Sequence, residues 1–428
     1  MQSKKEFCNL ISRTIARAAT AALAIATVFA LTVVLTQSAQ PQTLKVLHSF
    51  TGGGDGASPG AGVTMDQAGN LFGTTASGGI DDNGTVFRLS KRGSGWVLNP
   101  LYLFLGGSDG ATPYARVVFG PDGSLYGTTY DGGGDGCSGY GCGTVFSLKP
   151  PATACKTALC PWTETVLYRF TGGSDGAKPE GGDLILDQAG NIYGTAGIGG
   201  YQDGGCSNLG GCGVVFELTP SNGGWTEKIL YSFSGGSDGA QPYAGLFDQS
   251  GNLYGTTLLG GSSGDGTVFQ LTPSGSGWTE NVLYTFQDGN DGAFPDGGLI
   301  FDQSGNLYGT TLFDGKDGGG TVFKLTPSNG SWTYSLVYSF TGSEGPAANL
   351  AMDGAGNLYG TTYLDGAYGQ GSVFKLTRSG GSWTYTSLHD FTGGGDDGQP
   401  VSNVTFDANG NLYGTSYLAY GVVWEITP

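Results

Sequence analysis

The chain has 428 residues, 83 of them Gly and 17 Pro, with 12% aromatics and a formal net charge of −17 at pH 7. A field of that sign repels phosphate backbones and anionic lipid, so nucleic acid is excluded as a partner. The aromatic content and the regular apolar runs exclude a disordered chain and place the glycines in turns between short strands.

The N-terminus opens with Lys4, Lys5, Arg13 and Arg17. An uncharged, largely apolar run from Ala18 to Thr36 follows, then Gln37-Ser38-Ala39-Gln40. This order predicts a secretory signal over residues 1–40, cut near Ala39. The apolar run is also long enough to span a bilayer, so an uncleaved anchor is the alternative. No later segment could cross a membrane as a helix. The expected location is secreted, periplasmic or extracellular. The chain stops at Pro428 directly after its last apparent strand, which favours a soluble exported form.

Residues 44–50 (Leu44-Lys45-Val46-Leu47-His48-Ser49-Phe50) form the first predicted strand. The stretch Gly69-Asn70-Leu71-Phe72-Gly73-Thr74-Thr75 comes next, and its echoes begin at Gly123, Gly190, Gly251, Gly305, Gly356 and Gly410. A period of this size means a solenoid, a propeller or an array. The unit from Pro295 to Phe340 reads as four strands: 298–302, 306–311, 320–325 and 331–340. Gly-rich turns separate them, and β-branched and aromatic residues fill them. The last predicted strand, 421–426, matches the third strand of a unit, while 44–50 matches the fourth. The fold class is therefore all-β: a seven-bladed β-propeller with four antiparallel strands per blade, closed by strand 44–50 pairing with strand 421–426. Residues 41–428 form one domain, with blades at about 59–104, 113–170, 179–233, 242–286, 295–340, 346–391, and 400–426 plus 44–50. The recurring Tyr/Phe, Phe/Trp and Trp positions are expected to pack between blades. Closed edges and strong charge favour a monomer.

The ordered motifs G-N-L-Y-G-T-T, G-T-V-F-x-L-T-P and L-Y-S-F-x-G-G-S-D-G-A-x-P resemble the GloVer tandem repeat of secreted bacterial proteins, over about residues 44–428. The resemblance implies exported repeat proteins, some tethered by C-terminal anchors, and carries no established reaction.

Six cysteines lie outside the leader, an even number that suggests disulfides in an exported protein. Local pairing, Cys137–Cys142, Cys155–Cys160 and Cys206–Cys212, fits loop staples. Zinc is disfavoured because no pair has C-x2-C spacing and no His lies nearby.

The enzymatic inventory is thin. The two histidines, His48 and His389, both stand at the Tyr position of a fourth strand. No H-E-x-x-H, G-x-S-x-G or P-loop pattern occurs. The inter-blade loops repeat an acid, read as Asp55, Asp109, Asp175, Asp238, Asp291 and Asp397, with Glu344 near the remaining place. Such a ring could bind Ca2+; alternatively each Asp caps its own turn. No other cofactor is expected.

In a symmetric ring, function should lie where the repeats differ. Just after the loop prolines the chain offers Tyr114, Arg116, Glu180, Asp183, Tyr243 and Asp296, with Asn349 and Asn403 further round. These are the expected ligand-binding residues, at the axial mouth. Enlarged loops bearing cysteines (131–143 and 201–213) are expected on the same face. The first reading is an exported, non-enzymatic propeller binding a carbohydrate, peptide or envelope component. The second is a carboxylate-dependent glycosidase or lyase, with Arg116 as anion anchor and Glu180 or Asp183 as acid/base. The third is a purely structural envelope protein.

Overall fold

The computed structural model describes residues 42–151, 162–202, 204–206, 208–287 and 289–427. The leader and the Cys155–Cys160 pair lie outside the described residues. Thr43–Thr427 forms one compact unit.

Seven four-stranded antiparallel sheets make up this unit. Six are built from consecutive strands. In the seventh, Thr43–Ser49 pairs with Val422–Thr427, with Leu44 opposite Ile426 and His48 opposite Val423. The expected ring closure is thus present. Blade 5 illustrates the plan: Ile300–Phe301, Leu307–Thr311, Thr321–Ser328 and Ser331–Ser339, from axis to rim. Burial falls off in the same direction. Leu307–Thr311 is buried throughout, whereas Ser331–Ser339 alternates exposed and half-buried. Inner strands have a neighbouring blade against both faces and so carry apolar or Thr side chains on both.

Two details depart from the sequence reading. The innermost ladder is only two residues long, not the expected 298–302, because the residues before Ile300 turn toward the axis. The third strand runs on through Pro327 to Ser328. Its hairpin then closes with Asn329 and Gly330 at φ 50° and 84°, the left-handed pair that a two-residue turn needs between right-twisted strands.

Seven aromatic pairs join the blades. The Phe ending each fourth strand meets the ring in the third strand of the next blade: Phe104–Phe146 at 5.2 Å, Phe286–Phe323 at 5.3 Å and, across the closure, Phe50–Phe87 at 5.3 Å. Edge-to-face pairs of this kind contribute about 1 kcal/mol each beyond their burial. The Gly of every G-T-T makes room for that ring: a Cβ on Gly309 would sit 2.5 Å from Phe323. The recurring Trp also bridges blades, as Trp162 does to Phe72 at 6.2 Å.

The G-N motif is structural. Asp302 Oδ1 accepts from the Ser304 and Asn306 amides, and Asn306 Nδ2 donates to Asp302 Oδ2. This is an Asx turn that closes the inner hairpin. Among the described residues no helix is long and apolar enough to cross a membrane.

Candidate ligand-binding mouth

Each blade begins with a short approach to the axis just after the loop proline. In blade 2 this segment is Tyr114-Ala115-Arg116, and in blade 5 it is Asp296-Gly297-Gly298. A Thr on the second strand of the preceding blade usually fixes it. Thr74 Oγ1 donates to Ala115 O at 2.9 Å, and Thr256 Oγ1 to Gly297 O at 3.2 Å. Thr128, which should do the same for blade 3, is buried without a hydrogen-bond partner. Blade 3 carries one extra residue here, Glu180-Gly181-Gly182-Asp183, which takes the matching carbonyl out of register.

The approach segments enclose a cavity of about 250 Å3 on the axis. Its lining includes Tyr114, Glu180, Asp183, Tyr243, Asp296, Asn349 and Asn403. Seven of the eight residues expected at the mouth therefore line one cavity. Arg116 does not line it. Its Nη2 and Nε donate to Asp183 Oδ2 at 2.5 and 3.1 Å. The network continues round the axis: Asn403 Nδ2 donates to Asp183 Oδ2 at 3.5 Å, the Asn349 amide to Asn403 Oδ1, and the Gly298 amide to Asn349 Oδ1. These positions are a hydrogen-bonded floor. The nearby Asp183 charge holds Arg116 firmly protonated, so each neutralises the other. Arg116 is not free to anchor an anion, nor Asp183 to act alone as acid or base.

The acids of the lining that are not paired with Arg116 are Glu180 and Asp296. Burial, and then the neighbouring Asp296, pushes the Glu180 carboxyl up to about 7. Burial pushes Asp296 up to about 6. Burial also raises Tyr243, with Glu180 adding to the effect, and takes Tyr114 up to about 12. Tyr243 fits only because blade 3 has Gly197 beside it: a Cβ there would lie 2.1 Å from the ring.

Two further tyrosines, Tyr363 and Tyr417, also line the cavity and were not among the expected residues. They occupy the position directly after G-T-T, which reads Ala76, Tyr130, Gly197, Leu258, Leu312, Tyr363 and Tyr417 round the ring. The repeats differ in this column too, the same signal that marks Tyr114 and Tyr243.

The loops carrying cysteines stand beside the mouth. The Cys137–Cys142 and Cys206–Cys212 disulfides are formed. Between them lies an open groove lined by Tyr130, Asp131, Tyr140, Lys178 and Gln202, among others. It meets the mouth where Tyr130 packs edge-on against Tyr114 at 5.6 Å. Lys178 stands 4.6 Å over the Tyr130 ring and pairs with Asp131.

The repeated loop acids cap their own turns. Asp291 Oδ2 accepts from the Gln287 amide at 3.0 Å and from the Tyr284 hydroxyl at 2.7 Å. Asp109, Asp175 and Asp238 are held alike by Tyr102, Tyr168 and Tyr231, and Asp55 by His48 at 3.1 Å. In blade 7 the equivalent acid is Asp396, bonded to His389 at 2.9 Å, not Asp397 as the sequence suggested. The loop there carries two consecutive acids, and the register runs from Thr392, whose amide caps onto Asp396. Asp397 is buried one step further on at φ 64°, accepts from Ser416 Oγ, and is raised to about 6 by burial. Among the described residues no group of three or more His, Cys, Asp or Glu could hold a metal ion.

The profile of the Gloeobacter/Verrucomicrobia repeat matches residues 25–206 and 202–423. The chain belongs to that repeat family. No curated protein matches it. Solved structures similar in fold include the extracellular domain assigned to a one-component system of B. thetaiotaomicron. That match has 12% identity and a TM-score of 0.51, and covers 90% of this chain and 40% of that one. The chain therefore spans well under half the length of that domain. Another is a Bacteroides uniformis protein assigned as a 6-phosphogluconolactonase, at 14% identity and TM-score 0.50, covering 86% and 95%. At such identities the likeness is one of fold.

Proposed function

We propose that this is an exported binding propeller that takes a carbohydrate, or another small polar group of an envelope component or peptide, into its axial mouth. One observation carries the reading. The positions that break the repeat converge on a single cavity that combines tyrosine rings with a few directed polar groups, the composition expected of a ligand site. Tyr114, Tyr243, Tyr363 and Tyr417 offer apolar faces, while Glu180, Asp296, Asn349 and Asn403 offer hydrogen-bonding edges. Two disulfides support an oxidising compartment outside the cytoplasm. The extracellular domain of similar fold is consistent with that placement.

A glycan-array assay with the protein and its Tyr243→Ala variant tests the reading. Binding by the parent that is lost in a folded variant supports it; equal binding by both moves the site off the mouth.

The pairing of Glu180 with Asp296 favours a second reading, a carboxylate-dependent glycosidase or lyase. Glu180, raised to about 7, would hold a proton near neutral pH and serve as general acid. Turnover of any bound glycan, abolished in Glu180→Gln with binding kept, would establish it.

A further inference from the structure

The charge of the mouth is not balanced by the chain. Glu180 and Asp296 face the cavity, and among the described residues neither carboxylate takes part in a hydrogen bond or an ion pair. The two nearby cations are already committed: Arg116 to Asp183, and Lys178 to Asp131. Nothing lowers the affinity of either acid for a proton; burial raises both, and Asp296 raises Glu180 further. Half-buried carboxylates without a partner in the chain are placed to take a cation that arrives from outside. The walls between them are aromatic, with Tyr114, Tyr243, Tyr363 and Tyr417 contributing to one cavity. Tyrosine faces attract an ammonium group electrostatically, and carboxylates add direct charge pairing.

We propose that the ligand of the mouth carries an alkylammonium group, seated among the tyrosine rings against Glu180 and Asp296. The proposal rests on the mouth being a binding site and adds the charge of what it binds. Two sources share this chemistry: a deacetylated amino sugar and a linear polyamine. A neutral sugar could donate hydroxyls to the acids but would leave their charge uncompensated, and an anionic one would be repelled by them and by the overall negative charge.

The test is calorimetric titration of the protein at about 150 mM salt, where loose attraction to an acidic surface is screened. The probes are glucosamine tetramer and its fully N-acetylated counterpart, and spermidine and tetraethylene glycol. Each pair changes the charge at similar length. At least one amine should bind about tenfold or more tighter than its neutral match. Which amine does so identifies the source. Glu180→Gln combined with Asp296→Asn should remove that preference. Both changes relieve buried charge, so the variant should melt no lower than the parent.

Affinity for spermidine, whose amines stay protonated over the range, should also rise between pH 5 and pH 8, as Glu180 and Asp296 ionise; affinity for the glucosamine tetramer should pass through a maximum, because its own less basic amines lose their protons as the acids ionise. The other groups facing them are Asp183, which is paired with Arg116, and Tyr114, Tyr243 and Tyr363, whose hydroxyls burial raises further above that range. Equal binding of neutral and amine probes, binding of amines that the double variant leaves unchanged, or no amine binding at all would each overturn the proposal. Failure of the mouth itself as a site would look different: Tyr243→Ala would leave untouched the binding of whatever ligand is found, charged or neutral.

Discussion

Blades 2 to 4 and blades 5 and 6 solve one packing problem in two ways. Two residues after its opening Trp, the fourth strand turns a side chain toward the preceding blade. In blades 2, 3 and 4 that residue is Glu164, Glu227 or Glu280, and each has a buried Oε1 without a partner. In blades 5 and 6 it is Tyr334 or Tyr385. Tyr334 stacks on Tyr284 at 4.7 Å and donates its hydroxyl to Asp291 O at 2.9 Å, while Tyr385 stacks on Tyr338 at 4.9 Å. The backbone register is the same in both sets. One side of the ring therefore keeps poorly satisfied carboxylates where the other has stacked rings. That side also carries the extra residue of blade 3, the orphaned Thr128 hydroxyl and the stapled loops beside the mouth. Identical scaffolds can thus differ in how well their buried groups are satisfied, although every blade contributes to the candidate site.

The largest expected effect breaks the well-packed side. Tyr334→Ala removes a stacked ring and a hydrogen bond and should cost about 3 kcal/mol in chemical denaturation. An effect below about 1 kcal/mol would mean that the two sectors are not distinct. Next comes the floor of the mouth. Arg116→Ala leaves Asp183 unpaired and half-buried, and should cost about 2 kcal/mol. Adding Asp183→Asn should recover part of the loss, because the stranded charge goes with it.

A smaller effect sharpens the comparison through pH. Burial first, and then the facing Asp109, Asp175 or Asp238, pushes Glu164, Glu227 and Glu280 up to about 7. Their folded values lie above their unfolded ones, so the folded state holds extra protons between about pH 4.5 and 7. The associated stability is complete below that window and lost as pH rises through it. The melting temperature should therefore fall from pH 5 to pH 8, and the triple Glu→Gln variant should flatten the slope. An unchanged slope would remove these residues from the account.

The smallest expected effect is on metal removal. The loop acids already accept hydrogen bonds from amides, hydroxyls or imidazoles, so EDTA should leave the melting temperature unchanged. A fall of several degrees, with heat released on adding Ca2+, would assign these loops a metal.

The ring was legible because seven copies of one unit repeat every constraint. Gly309 beside Phe323, and Asp302 with Asn306, each have counterparts in other blades, so local and global signals agree. The closure was equally legible, because 44–50 and 421–426 are the missing parts of one blade. The mouth was legible only in part. Divergence after each proline located Tyr114, Glu180, Tyr243 and Asp296, but Tyr363 and Tyr417 reach the same cavity from just past the end of the second strand. Spacing along the chain does not reveal that convergence. Nor could spacing tell that Arg116 would be spent on Asp183, which lies 67 residues away. In blade 7 two adjacent acids left the choice open, and only the Thr392 cap identifies Asp396 as the equivalent of Asp291.

The closing sheet has a consequence for assembly. Thr43–Ser49 finds its partner at Val422–Thr427, so the first strand made is among the last to be paired. A ring joined through its two most distant segments is slow to close, since loop entropy must be overcome before the contact gains anything. Until then strand 43–49 presents an open edge to other chains. Nascent copies are therefore most exposed to misassociation with one another before residue 427 emerges, and variants truncated before Val422 should accumulate as aggregates in place of six-bladed rings.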